Sequence, residues 1–105
     1  MHPPKLELTL DSLVCALCLD YSRRQKIIEE RSAEKRTDTE LRYYNFLIYD
    51  AAAEVVGERD AEIYINEIGR NIGYAKSAAS YTAESTYKGY KQFVKANIAK
   101  KLHLI

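Results

Sequence analysis

The stretch TDTELRYYNFLIYDAAAEVVG, residues 37–57, decides the fold class. Its first four residues, Thr37-Asp38-Thr39-Glu40, match a capping box. In that motif a threonine hydroxyl and a glutamate carboxylate each satisfy an amide that the first helical turn leaves orphaned. Behind it, Leu41, Tyr44, Ile48, Ala52 and Val55 recur at three- and four-residue steps, a stripe suited to burial that Phe46, Leu47 and Tyr49 widen. Gly57 closes the segment, because glycine takes the left-handed cap conformation cheaply. The spacing predicts a helix over 37–56.

The same period continues on both sides. Upstream, Leu10, Leu13, Val14, Leu17, Tyr21 and Ile28 predict a helix over 9–30. Pro3 and Pro4 stay outside it, since proline lacks a donor and disfavours helical geometry in its predecessor. The charged run 29–36 reads as an exposed connection. Downstream, Tyr64, Ile65, Ile68 and Ile72 share a face of a helix over 60–73, with acids at its start and Gly73 as its stop. Thr82 is a fair N-cap for a last helix, 82–101, carrying Tyr87, Tyr90, Val94, Ile98 and Leu102 on one side. No segment alternates with period two. The expectation is an all-α fold, a compact bundle of about four helices in one domain spanning 1–105.

Hydrophobic residues at 47% and charged residues at 30% are an ordinary globular mix. The longest apolar run, Leu13–Leu19, is too short for a membrane span and follows Asp11, so neither a membrane partner nor a secretion signal is expected. Two cysteines and no signal make a reducing bacterial cytoplasm the expected compartment. Net charge is only +1, yet it is unevenly spread: residues 1–73 hold ten Lys/Arg against fourteen Asp/Glu, whereas 74–105 hold six Lys and one acid, Glu84. A basic last third behind an acidic body suits a polyanion. It equally suits a solvated tail, or pairing with an acidic patch on a second copy.

Cys15 and Cys18 form a C-x-x-C pair, but structural zinc needs four ligands and the other soft donors, His2 and His103, sit at the two ends. Inside Leu-Val-Cys-Ala-Leu-Cys-Leu, both read as small hydrophobes, and no metal or other cofactor is expected. Those histidines are badly placed to serve a shared nucleophile. The i, i+4 carboxylates Asp50/Glu54 and Glu58/Glu62 read as solvated surface, and the glycines lack a phosphate-cradle spacing. No catalytic site is expected. Of the nine tyrosines, Tyr21, Tyr44, Tyr64, Tyr87 and Tyr90 fall on apolar stripes; Tyr74 and Tyr81 fall in the connection, as surface contacts or as packed lids.

The last helix carries the candidate site. Lys88, Lys91 and Lys95 repeat at three and four residues along one face with Gln92 beside them, and Ser85 and Thr86 occupy the first turn. Short side chains near bases and lysines along the backbone are the layout of a DNA-recognition helix. Three stretches, Gly73-Tyr74-Ala75-Lys76-Ser77, Glu84 to Lys91 and Ile98 to Ile105, resemble phage and prophage late-transcription regulators of the ArpU and RinA type. Those are similar in turn to the C-terminal DNA-reading region of sigma factors, and Leu19-Asp20-Tyr21-Ser22-Arg23-Arg24 has the same flavour. The resemblance covers about a third of the chain. It implies a helix-turn-helix unit over 60–101 in which Ser85, Thr86, Lys88 and Lys91 meet double-stranded DNA; by charge, Lys88, Lys91 and Lys95, with Lys76, would neutralise its phosphates. The alternative is a small phage inhibitor of the anti-CRISPR kind that blocks a host RNA-guided nuclease by protein contact. RNA polymerase is a further protein partner to consider, and a homodimer a further assembly.

Overall fold

The computed structural model describes residues 3–33 and 39–105, which form four α-helices, a 3₁₀ turn and, among those residues, no strand. Helix α1 is Leu8–Ala33, α2 is Thr39–Val56, α3 is Ala61–Gly69 and α4 is Glu84–Lys101; the 3₁₀ turn is Tyr74–Lys76. The all-α expectation holds. Thr37 and Asp38 of the expected capping box lie outside the described residues.

The helix ends follow the chemistry of left-handed caps. Gly57 has φ +87° and donates its N–H to the Ala53 carbonyl at 2.8 Å. Helix α3 ends earlier than expected, at Gly69, and Gly73 is not its stop. The stop is Asn71, with φ +53°. Its N–H reaches the Ile68 carbonyl, and the next N–H, of Ile72, returns to Glu67 at 2.9 Å. This is a Schellman pair with asparagine at the position glycine more often takes. His103, φ +58°, does the same for α4. Thr82 does not cap α4 either. Ala83 is the N-cap with no side-chain bond, and the Thr82 carbonyl instead accepts the Tyr74 hydroxyl at 2.7 Å.

The core collects one strip from every helix: Val14, Cys18 and Tyr21; Ile48, Ala51 and Ala52; Ala61, Ile65 and Ile68; Val94, Ile98 and Ala99. Burying each large aliphatic here is worth about 1.5–3 kcal/mol. Helix α1 lies mainly on α3, and α2 on α4. The first contact is unusually close: a Cβ on Gly69 would stand 2.5 Å from the Leu19 nitrogen, so only glycine fits the crossing. Cys18 is inside the core and Cys15 at its edge, as their apolar context predicts.

Four residues expected on buried stripes are instead exposed: Leu13, Tyr44, Phe46 and Tyr90. On α2 the interior position belongs to a polar residue, Asn45. Its amide nitrogen bonds the Tyr21 carbonyl and Gln25, and its oxygen accepts from the buried Arg24 at 2.7 Å. Arg24 is also held by Asp20 and the Leu17 carbonyl, both at 2.8 Å. This polar lock rotates α2 so that Tyr43, Tyr44 and Phe46 face outward. The connection between α3 and α4 spans residues 70–83. That is far longer than the three or four residues of an ordinary helix-turn-helix turn.

Candidate functional site

The seven residues singled out in the sequence divide into two groups on α4 and its approach. Lys76, Ser85, Thr86 and Lys88 are exposed. Lys76 lies in the 3₁₀ turn, Ser85 and Thr86 occupy the first turn of α4, and Lys88 pairs loosely with Glu84 at 3.4 Å. Lys91, Gln92 and Lys95 face inward. The Lys91 ammonium donates to the Ile72 carbonyl at 2.8 Å and stands 5.2 Å above the Tyr87 ring; burial, then repulsion from Lys95, pulls its pKa down. Lys95, its side chain 13% exposed, forms an ion pair with Asp11 of α1 at 2.7 Å. Gln92 and Lys95 line the same small groove as Lys5, Leu6 and Asp11.

Helical spacing therefore does place Lys91 and Lys95 together, but turned into the fold, Lys95 to Asp11 of α1 and Lys91 to the Ile72 carbonyl, rather than toward solvent. Two of the six lysines of the basic last third, Lys95 and Lys101, are spent on acids of the chain's own body. Lys101 spans Asp50 at 2.8 Å and Glu54 at 2.6 Å, and Asn97 donates to the Ala51 carbonyl at 2.9 Å. Asp50 and Glu54, the carboxylates with helical spacing, are thus the seat of a lysine.

Beneath the lysines lies a polar cluster that sequence reasoning passed over. Glu67 is 3% exposed, yet its carboxylate has no cation in bonding range among the described residues. It accepts from the Ser77 hydroxyl at 2.5 Å, the Tyr87 hydroxyl at 2.7 Å and the Ala78 amide at 2.8 Å. Three donors replace the water it gave up. Burial first, and the bond to Glu67 second, push Tyr87 up to about 12, so the phenol stays a donor. Tyr74 packs on the Tyr87 ring with centroids 5.6 Å apart and donates to the Ser80 and Thr82 carbonyls. Tyr74 is thus a packed lid. Tyr81 is exposed and sits under Arg59 at 5.5 Å, where it and Arg59 hold Asp60 below the usual carboxylate range. The signal for the cluster was an acid, Glu67, three residues from Tyr64 on an otherwise apolar face. The arrangement fastens the 70–83 connection to α3 and α4.

The open side of α4 is its opposite face. Ser85, Thr86, Gly89, Tyr90 and Phe93 border a shallow depression with Pro3. Phe93 also lines a groove of about 690 Å³ between α4 and α2, with Val55, Ala96, Glu54, Asn97 and Lys100 beside it and Pro4 and Ile105 of the same chain at its edge. Ser85 and Thr86 thus share a surface with aromatic and small residues, not with Lys91 and Lys95. No group of His, Cys, Asp and Glu among the described residues could hold a metal ion, and no helix among them is long and apolar enough to cross a membrane. Comparison with family models, with curated proteins and with solved structures found no match.

Proposed function

We propose that this chain is a protein-binding module that receives an apolar segment of a partner protein along the outer face of α4. The observation that carries the reading is the groove continuous through Phe93. It is an open channel beside an eighteen-residue helix, with apolar floor and small residues, Gly89 and Ala96, where a second backbone can come close. Amphipathic segments dock in such grooves by their apolar side. Glu54 and Lys100 on the rim offer both signs of charge for register. A host nuclease, as in the inhibitor reading, and RNA polymerase are both partners of the right class.

DNA binding is the second reading, and one observation favours it: the first turn of α4 is exposed, with Ser85, Thr86 and Lys88 presented and Lys76 free to approach a phosphate. With Lys91 and Lys95 engaged inside the fold, counterion release predicts a log–log salt slope of about −2, not −3 to −4. One experiment separates the two. Tagged protein and a Phe93→Ser variant are compared in capture from host lysate, beside titration with labelled duplex across a salt series. The proposal expects a specific protein that Phe93→Ser loses at least about tenfold, since a central aromatic anchor is worth 1.4 kcal/mol or more. Tight duplex binding with a slope of about −2 or steeper, unaffected by Phe93→Ser, would replace it with the DNA reading.

A further inference from the structure

A second outward face lies on α2, centred on Phe46. Tyr43 and Phe46 are each 59% exposed, three residues apart, and so stand on one side of the helix. Around Phe46 the sequence has a two-fold pattern. Tyrosines stand three residues before and three after, Tyr43 and Tyr49; opposite charges stand four before and four after, Arg42 and Asp50. The small Ala53 lies seven residues on and the small Thr39 seven residues back. These positions form the i±4 row Arg42–Phe46–Asp50 with an aromatic on each side, the kind of ridge that packs into the groove of another helix.

We infer that α2 is the interface of a symmetric dimer in which two copies of this chain cross antiparallel at Phe46. A two-fold axis through that residue sets each residue before it opposite the residue equally far after it. Phe46 then meets Phe46, Tyr43 meets Tyr49 of the second copy, and Arg42 meets its Asp50, twice. The occupant is a second copy because the face complements itself: a symmetric interface needs each patch to satisfy its own image, and a row reading plus–apolar–minus does so only when reversed. An unrelated partner would have no reason to match that reversal. The side chains are available for it. Arg42 is exposed, its guanidinium donating to the exposed Ser32 hydroxyl of α1, and Asp50 keeps 39% of its side-chain surface open although it already receives Lys101. Tyr49 is partly buried against the core and donates a long bond, 3.4 Å, to the Glu58 carbonyl. The Arg24–Asn45 lock is what turns this row outward, and Asn45 itself points to α1. A strip of this size belongs at the small end of specific interfaces, so the dimer forms and dissociates within the micromolar range.

The test is sedimentation velocity from low to high micromolar concentration on the full chain and four samples: Arg42→Asp, Asp50→Arg, their equimolar mixture, and Phe46→Glu. Wild type should pass from monomer to dimer. Arg42→Asp sets acid against acid at both ends and Asp50→Arg sets base against base, so each alone should be monomeric. Mixed, the two restore both opposite-charge contacts and should form a heterodimer. Phe46→Glu, at an exposed site, should be monomeric with unchanged circular dichroism and melting. It reads the interface without disturbing the bridge from Lys101, which keeps Glu54 if Asp50 is replaced. A wild type that stays monomeric throughout overturns the inference, as does a dimer that survives Phe46→Glu, or single-charge variants that remain apart when mixed.

Discussion

The two faces of α4 carry the residues a reader of the sequence would notice, and they behave in opposite ways. The face with Lys91 and Lys95 is covered: one lysine is bound to a backbone carbonyl, the other to Asp11, and the Glu67 cluster lies beneath. The face with Ser85, Tyr90 and Phe93 looks plainer in sequence and is the one left open. A run of like charges is a binding surface only if the chain has not already supplied its counter-ions. Here the counter-ions are Asp11, Asp50 and Glu54, on helices distant in sequence.

The covered face should be destroyed most completely from a distance. Gly69→Ala puts a methyl inside van der Waals range of the α1 backbone, and the helix cannot retreat without uncoupling Asp11 from Lys95. The expected loss is about 4 kcal/mol, measured by urea denaturation. Glu67→Ala should come next, at about 3 kcal/mol, because Ser77, Ala78 and Tyr87 lose a shared buried acceptor. Glu67→Gln keeps the shape but brings a donor to a site of three donors, and should cost less than alanine while remaining clearly destabilising.

The fold was largely legible, because helical periodicity needs only local residues. Helices α1, α2 and α4 start and stop within about three residues of the predicted bounds. The shortfall on α3 came from Asn71, which adopts a left-handed turn two residues before the glycine that looked like the natural stop. Which residues of an amphipathic helix face inward was less legible. Phe46 and Tyr44 are more apolar than Asn45, but Asn45 has partners on α1 twenty or more residues away, and no pattern within α2 announces them. The candidate site was legible in the same partial way. Spacing put Lys91 and Lys95 on one face correctly and could say nothing of what that face meets.

A smaller effect follows from groups that titrate late. In the unfolded chain cysteine and tyrosine lose protons near 9 and 10. In the fold burial holds Cys18 at about 12, and Tyr21, Tyr64 and Tyr87 also at about 12, with Tyr87 further held by Glu67. The folded state binds more protons, so stability is fully present below pH 9 and is lost as pH rises toward 12. A melting temperature that is flat to pH 9 and then declines, with part of the tyrosine absorbance change delayed until unfolding, is the expected record.

The comparison between the faces is tested most directly by lysine labelling, which perturbs nothing beforehand. The native protein is exposed briefly to an amine-reactive acetylating reagent, and each lysine's modification rate is read by mass spectrometry. Lys76, Lys88 and Lys100, all exposed, should react together and early, whereas Lys91 and Lys95 should lag by at least about tenfold until urea unfolds the chain, a ratio equivalent to roughly 1.4 kcal/mol of protection. Equal rates for Lys88, Lys91 and Lys95 would contradict the account, because the three would then form the open basic row that a nucleic acid could use.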